Sequence, residues 1–114
     1  MPDQKTKRYL FVCYANQQRS RTAEEVCRKM AKERHLDIAV GSAGIALGAN
    51  NPLTKELVNQ ADIIFVMQDY MQIAVEEEYA GKGKNIVCFD IPDIYYRNDP
   101  HLIRILQKHL QHYL

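Results

Sequence analysis

Four short apolar runs, each followed by a segment of different periodicity, constrain this chain more than any other feature. The runs are residues 8–13 (RYLFVC), 37–45 (DIAVGSAGI), 62–67 (DIIFVM) and 84–91 (KNIVCFDI). They are rich in β-branched and aromatic residues and are bounded by turn formers, so each reads as a buried strand. Between the first two, residues 20–35 place Ala23, Val26, Cys27, Met30 and Ala31 at i, i+3, i+4, i+7 and i+8, one stripe of an amphipathic helix. Asn51 as cap with Pro52 at the first helical position predicts a short second helix. Residues 68–83 read as a third, capped at Asp69 and stopped by Gly81 and Gly83. Asp99 and Pro100 open a fourth, with Leu102, Ile103, Leu106, Leu110 and Tyr113 on its buried face.

Strands that alternate with helices require right-handed crossovers and a parallel sheet covered on both faces. The expectation is a single α/β domain over residues 1–114, doubly wound, with a four-stranded sheet in the order 2-1-3-4. At 114 residues and 46% hydrophobic, the chain can bury a core without disulfides or a structural metal. No repeat, linker or low-complexity segment interrupts it. Folds of this kind bind ligands outside the carboxyl ends of their strands. Cys13 stands at one of those ends.

Around Cys13 runs the segment CYANQQRS. A loop from a strand into a helix aims several backbone N–H groups at one point, and the helix adds partial positive charge there. Tyr14, Ala15, Asn16, Gln17 and Gln18 form that loop. Arg19 adds a fork of donors matched to two phosphate oxygens. Helix starts and nearby cations favour the thiolate of a cysteine placed there. Ser20 is in position to donate a hydrogen bond to it, and Asn16 tolerates left-handed dihedrals. A nucleophile beneath a tetrahedral anion suits attack on phosphorus through a phosphocysteine intermediate. A bare Cys-x5-Arg spacing arises often by accident; the strand-to-helix junction, Asn16 and Ser20 make this one specific.

The leaving oxygen then needs an acid. In IPDIYYRNDP, Asp93 lies on a loop after the fourth strand, followed by Tyr95 and Tyr96 as a wall for an aromatic ring. An Asp after proline is more commonly a simple turn residue. Of the rival carboxylates, Asp99 reads as a helix cap and Asp90 as a strand-end residue with no assigned use.

FVCYANQQRSRTAE resembles the phosphate loop of the low-molecular-weight protein tyrosine phosphatases, whose pattern is roughly V-C-x-G-N-x-C-R-S-P-x-A-E. SAGI, at 42–45, resembles the family's Ser-Ala-Gly, and IPDIYYRND its Asp-Pro-Tyr-Tyr acid loop. The resemblance implies Cys13 as nucleophile, Arg19 as phosphate clamp, Asn16 and Ser20 as loop supports and Asp93 as acid. It implies hydrolysis of a phosphorylated protein or a small phosphate monoester, without cofactor or metal. Four positions depart from the pattern: Ala15 replaces glycine, Gln18 the second cysteine, Arg21 a proline, and Ile94 the proline after the acid. The segment after SAGI is short, and residues 46–54 carry no aromatic for the facing wall of a ring slot.

The remaining features set limits. With 15 basic and 14 acidic residues the net charge is +1, which favours neither a nucleic-acid nor a membrane partner, although a phosphorylated nucleic-acid end would qualify as substrate. Three cysteines without a CxxC pair argue against a disulfide framework or a zinc site, and a reducing cytoplasm is the expected setting. No apolar run reaches the length of a signal core or membrane span. Cys27 and Cys88 read as core residues, and the four histidines, among polar neighbours, as surface residues. AGKGK lacks P-loop order, and the acidic run at 76–78 reads as a solvated helix face. Arsenate reduction uses a similar loop but needs two further, closely placed cysteines. A binding module without turnover needs neither Cys13 nor Asp93.

Overall fold

The computed structural model describes residues 6–114 and has eight elements. They run β1 (Lys7–Cys13), α1 (Arg19–Glu33), β2 (Ile38–Gly44), α2 (Lys55–Gln60), β3 (Ile63–Val66), α3 (Asp69–Glu78), β4 (Ile86–Cys88) and α4 (Pro100–Leu110). All strand pairs are parallel, as the alternation predicts, and the sheet has the expected order β2-β1-β3-β4. The first five residues of the expected 1–114 domain lie outside the described residues. None of the described helices is long and apolar enough to cross a membrane.

Right-handed crossovers in this order put α1 on one face of the sheet and α2 and α3 on the other, and α4 packs beside α1. The central strand is therefore buried on both sides, and Tyr9 to Cys13 are all at most 5% exposed. Phe11 stacks on Phe65 with centroids 4.9 Å apart, and Tyr9 meets the edge of the same ring at 5.3 Å. Leu102, Leu106 and Leu110 bury the inner stripe of α4; Ile103 and Tyr113 pack only partly, Tyr113 beyond the end of the helix. Asp99 caps α4 by accepting from the His101 N–H at 2.9 Å.

The second helix begins later than Asn51 and Pro52 suggest. Asn51 is used in a long-range link: its side-chain amide donates to the Ser42 carbonyl (2.6 Å) and its own carbonyl accepts from the Gly44 N–H (2.9 Å). Pro52 forms an isolated parallel bridge with Gly44. These contacts extend the end of β2 and displace the local cap, so Thr54 takes over, accepting from the Leu57 N–H at 3.1 Å. Asp69 likewise is the first residue of α3 and not its cap; the cap position belongs to Gln68, whose side chain is drawn elsewhere. Two further expectations need correcting. Cys88 is only half-buried on the edge strand β4, and His109 is half-buried with its ring stacked on Phe89 at 4.6 Å.

Candidate active site

β1 ends at Cys13 and α1 begins at Arg19, so five residues turn the chain over the carboxyl edge of the sheet. Asn16 makes the turn with a φ of +54°. Ala15, standing where the family pattern has glycine, has no positive φ, so the substitution is tolerated without strain. Gly44 lets the loop sit close: a Cβ there would lie 2.6 Å from the Tyr14 carbonyl oxygen and 2.8 Å from the Asn16 nitrogen. That close approach gives the glycine of SAGI a physical reason.

The Cys13 thiol is 3% exposed and held by two partners. Ser20 Oγ is 2.8 Å from Sγ, and the Asn16 N–H donates to Sγ at 3.2 Å. Asn16 Nδ2 donates to Ser20 Oγ at 2.8 Å, which leaves the serine proton free to point at sulfur. Among the described residues, Asn16 Oδ1 is buried without a partner. The N–H groups of Ala15, Gln17 and Gln18 have no carbonyl partner among those residues either, so they are available to an anion.

Arg19 is 2% exposed. Its Nη1 donates to Gln68 Oε1 at 2.6 Å and to the Ile91 carbonyl at 2.8 Å, and its Nε lies 3.7 Å from Asp93 Oδ1. One edge of the guanidinium is thus anchored to protein and the other turned toward Asp93. Cys13, Tyr14, Ala15, Gln17, Gln18, Arg19 and Asp93 together line a cavity of about 70 Å³. A single water needs roughly 10–15 Å³ on that measure, so there is room for the oxygens of a tetrahedral anion. A larger cleft of about 370 Å³ opens beside Lys7, Tyr9 and Tyr113, at the far end of β1, and holds no nucleophile.

The structure therefore brings Cys13, Arg19 and Asp93 to one point, with Asn16 and Ser20 behind the thiol. Tyr95 and Tyr96 are not part of the cavity lining: Tyr95 packs against the core and Tyr96 is 63% exposed. Asp90 has a φ of +54° and is outside the lining, while Asp99 serves as the α4 cap. Gln68 was missed by the sequence reading. Its only signal in sequence is a place two residues after β3, at the carboxyl edge where such folds bind ligands. Cys27 is fully buried in α1 and its thiol pushed up to about 12, chiefly by burial. No three His, Cys, Asp or Glu side chains among the described residues are grouped to hold a metal ion.

A parallel α/β domain with a cysteine and an arginine on one strand-to-helix loop defines a broad class of site. Comparison with known proteins narrows it. Residues 8–60 match the model of the low molecular weight phosphotyrosine protein phosphatase family. Wzb of Vibrio vulnificus, solved in complex with benzylphosphonate, superposes with a TM-score of 0.73 at 24% identity, covering 96% of this chain and 97% of its own. The tyrosine phosphatase Wzb of Escherichia coli K30, solved with phosphate, gives 0.73 at 20% identity, covering 96% of each chain. The arginine phosphatase YwlE, a Bacillus subtilis protein, gives 0.69 at 21% identity over 91% of this chain and 95% of its own, in a mutant with a phosphorylated active-site serine. No curated protein matches the chain. The chain is thus similar in sequence, over residues 8–60, to the low molecular weight phosphotyrosine protein phosphatases, and it shares along its length the fold of these solved structures. Asp93 lies beyond the matched segment, so its case rests on its position beside Arg19.

Proposed function

We propose that this chain is a cysteine-dependent phosphatase that hydrolyses phosphate monoesters through a phosphocysteine. The observation that carries the reading is the double hydrogen bond to Cys13 Sγ, from Ser20 Oγ at 2.8 Å and the Asn16 N–H at 3.2 Å, at the floor of a cavity that Arg19 and Asp93 share. Both donors stabilise sulfur as the thiolate, the form that attacks.

In the first step the phosphate occupies the loop N–H groups and takes the free edge of Arg19 from Asp93. Sγ attacks phosphorus, the bond from phosphorus to the ester oxygen breaks, and Asp93 delivers its proton to that oxygen. The products are a phosphocysteine and an alcohol. In the second step Asp93, now a carboxylate, removes a proton from water as the water oxygen attacks phosphorus. The sulfur–phosphorus bond breaks, thiolate returns and inorganic phosphate leaves. Arg19 spans two equatorial oxygens in both steps.

The substrate is a phosphorylated protein or a small phosphate monoester. Aryl esters are favoured, because Tyr14, exposed at the cavity rim, offers a ring to stack against. The expected setting is the cytoplasm, where reducing conditions keep Cys13 a thiol. Arsenate reduction is disfavoured by the placement of Cys27, sealed in α1, and Cys88, on the far strand. Phosphate release from p-nitrophenyl phosphate, run beside thiol-dependent arsenate reduction, tests the assignment. Turnover of the ester that is lost in Cys13→Ala is expected; reduction of arsenate in its place, or activity in Cys13→Ala, contradicts it.

A further inference from the structure

Asp93 has few contacts of its own. Its side chain is 59% exposed and its ion-pair partner is Arg19, 3.7 Å away. The carboxyl is therefore placed by the backbone of its loop, and the two ends of that loop decide where it sits. At the near end the Ile91 N–H donates to the Met67 carbonyl at 2.8 Å, and the Ile91 carbonyl accepts from Arg19 Nη1 at 2.8 Å. At the far end the Asn98 N–H donates to Thr22 Oγ1 at 3.0 Å. The Thr22 hydroxyl in turn donates to the Gln18 carbonyl at 2.8 Å, and Gln18 belongs to the phosphate loop. Asn98 has a φ of +63°, a turn that brings its N–H back toward α1 before Asp99 starts α4. One residue earlier, Arg97 forms an ion pair with Glu25.

Arg19, Thr22 and Glu25 are spaced i, i+3 and i+6, so they form one stripe along the first turns of α1. The same stripe holds Ile91, Asn98 and Arg97, which bracket Asp93. Thr22 is fully buried, and one hydroxyl uses both its proton and a lone pair, one toward each loop.

We propose that Thr22 is a positioning residue that fixes the acid loop to the phosphate loop and so holds Asp93 over the leaving oxygen, with the Glu25–Arg97 pair as an outer brace. The inference rests on the assignment of Asp93 as general acid. Its signature is selective. A displaced acid harms esters with basic leaving groups, which need a proton, far more than esters whose leaving group departs unaided.

The test is a comparison of kcat/KM for phenyl phosphate and p-nitrophenyl phosphate in the wild type, Thr22→Val, Thr22→Ser and Arg97→Gln, together with amide exchange at Asn98 by NMR. Valine keeps the shape of threonine and removes both hydrogen bonds. Thr22→Val is expected to lose about tenfold or more on phenyl phosphate and less than about threefold on p-nitrophenyl phosphate, with the acidic-side pH profile altered. Thr22→Ser restores both values, and Arg97→Gln, a surface change that keeps the fold should Thr22→Val not, shows a smaller loss of the same selectivity. Asn98 exchange should rise about tenfold in Thr22→Val and return in Thr22→Ser. Equal losses on both esters, or unchanged Asn98 exchange, overturn the inference. A wild type that hydrolyses neither ester contradicts the phosphatase assignment instead, and the Asn98 exchange then decides the coupling by itself.

Discussion

Ser20 Oγ stands 2.8 Å from Cys13 Sγ, and Asn16 Nδ2 donates to the same oxygen at 2.8 Å, so the serine proton is free to point at the sulfur. The six residues between Cys13 and Ser20 in sequence thus close into a ring around the thiol. Sequence order sets this up: a strand end, a left-handed Asn16 and a helix start bring the three side chains together within one short segment.

Removal of that hydroxyl has a calculable consequence. A hydrogen bond to a charged group contributes roughly 1.5–3 kcal/mol, which corresponds to about ten- to hundredfold in rate. Ser20→Ala should lower kcat by that range and slow alkylation of Cys13 by iodoacetate in parallel. Unchanged alkylation would show that Ser20 does not act on the thiol.

Gly44 should tolerate no side chain. A Cβ would meet the Tyr14 carbonyl oxygen at 2.6 Å and the Asn16 nitrogen at 2.8 Å, both backbone atoms that cannot swing away. Overpacking of this kind typically costs about 1–3 kcal/mol. Gly44→Ala should lower Tm by several degrees and lower kcat/KM further than the stability loss explains, because the loop around Cys13 must shift. A variant with native activity would mean that the loop accommodates the methyl group.

His109 predicts a pH dependence of stability. Burial against Phe89 lowers its proton affinity below the ordinary value of 6.5, and His112 and Lys108 act in the same direction. The unfolded chain then binds more protons than the folded one below pH 6.5, so stability is fully present above that value and is lost as pH falls through the folded pKa. His109→Phe keeps a ring in the stack and removes the titration. Its Tm should fall less than that of the wild type between pH 7 and pH 5, measured by circular dichroism. Parallel curves would exclude His109 as the source.

Oxidation of Cys13 should proceed without an internal rescue. Val66 is in register with both Val12 and Cys88, so β3 separates Cys13 from Cys88 by two strand spacings. That is roughly 9–10 Å, beyond the separation of about 7 Å that a disulfide spans without backbone movement. Burial raises the Cys88 thiol, which also donates to Asp69 Oδ1 at 3.3 Å, and Cys27 is pushed up to about 12. Limited peroxide should therefore carry Cys13 through sulfenic to sulfinic acid unless an external thiol intervenes. Peptide mass spectrometry that finds a Cys13–Cys88 or Cys13–Cys27 bridge in good yield would contradict this.

The parts of the molecule that sequence reveals are those with local causes. Strand runs, the α1 stripe, the Asp99 cap and the segment from Cys13 to Ser20 are each encoded within a few residues. The hand of each crossover is general to parallel sheets, whereas the order β2-β1-β3-β4 is set by which strands pair. What escaped depends on contacts between distant segments. Asn51 reads as a cap until the end of β2 claims its hydrogen bonds. His109 reads as a surface residue until Phe89 is placed beneath it. Gln68 and Thr22 are ordinary polar residues in sequence, and only the fold brings them to Arg19 and Asn98. Tyr95 and Tyr96 show the opposite case, since adjacency to Asp93 in the chain does not put them in the cavity lining.

The central claim is that Cys13 becomes covalently phosphorylated during turnover, and rapid acid quench with p-nitrophenyl phosphate in excess tests it most directly. Peptide mass spectrometry of the quenched Asp93→Asn variant, in which breakdown of the intermediate is slowed, should find one phosphoryl group on the peptide that contains Cys13. The same experiment on Cys13→Ala should find none. A phosphoryl group on another residue, or turnover with no phosphorylated protein at any quench time, would contradict the account.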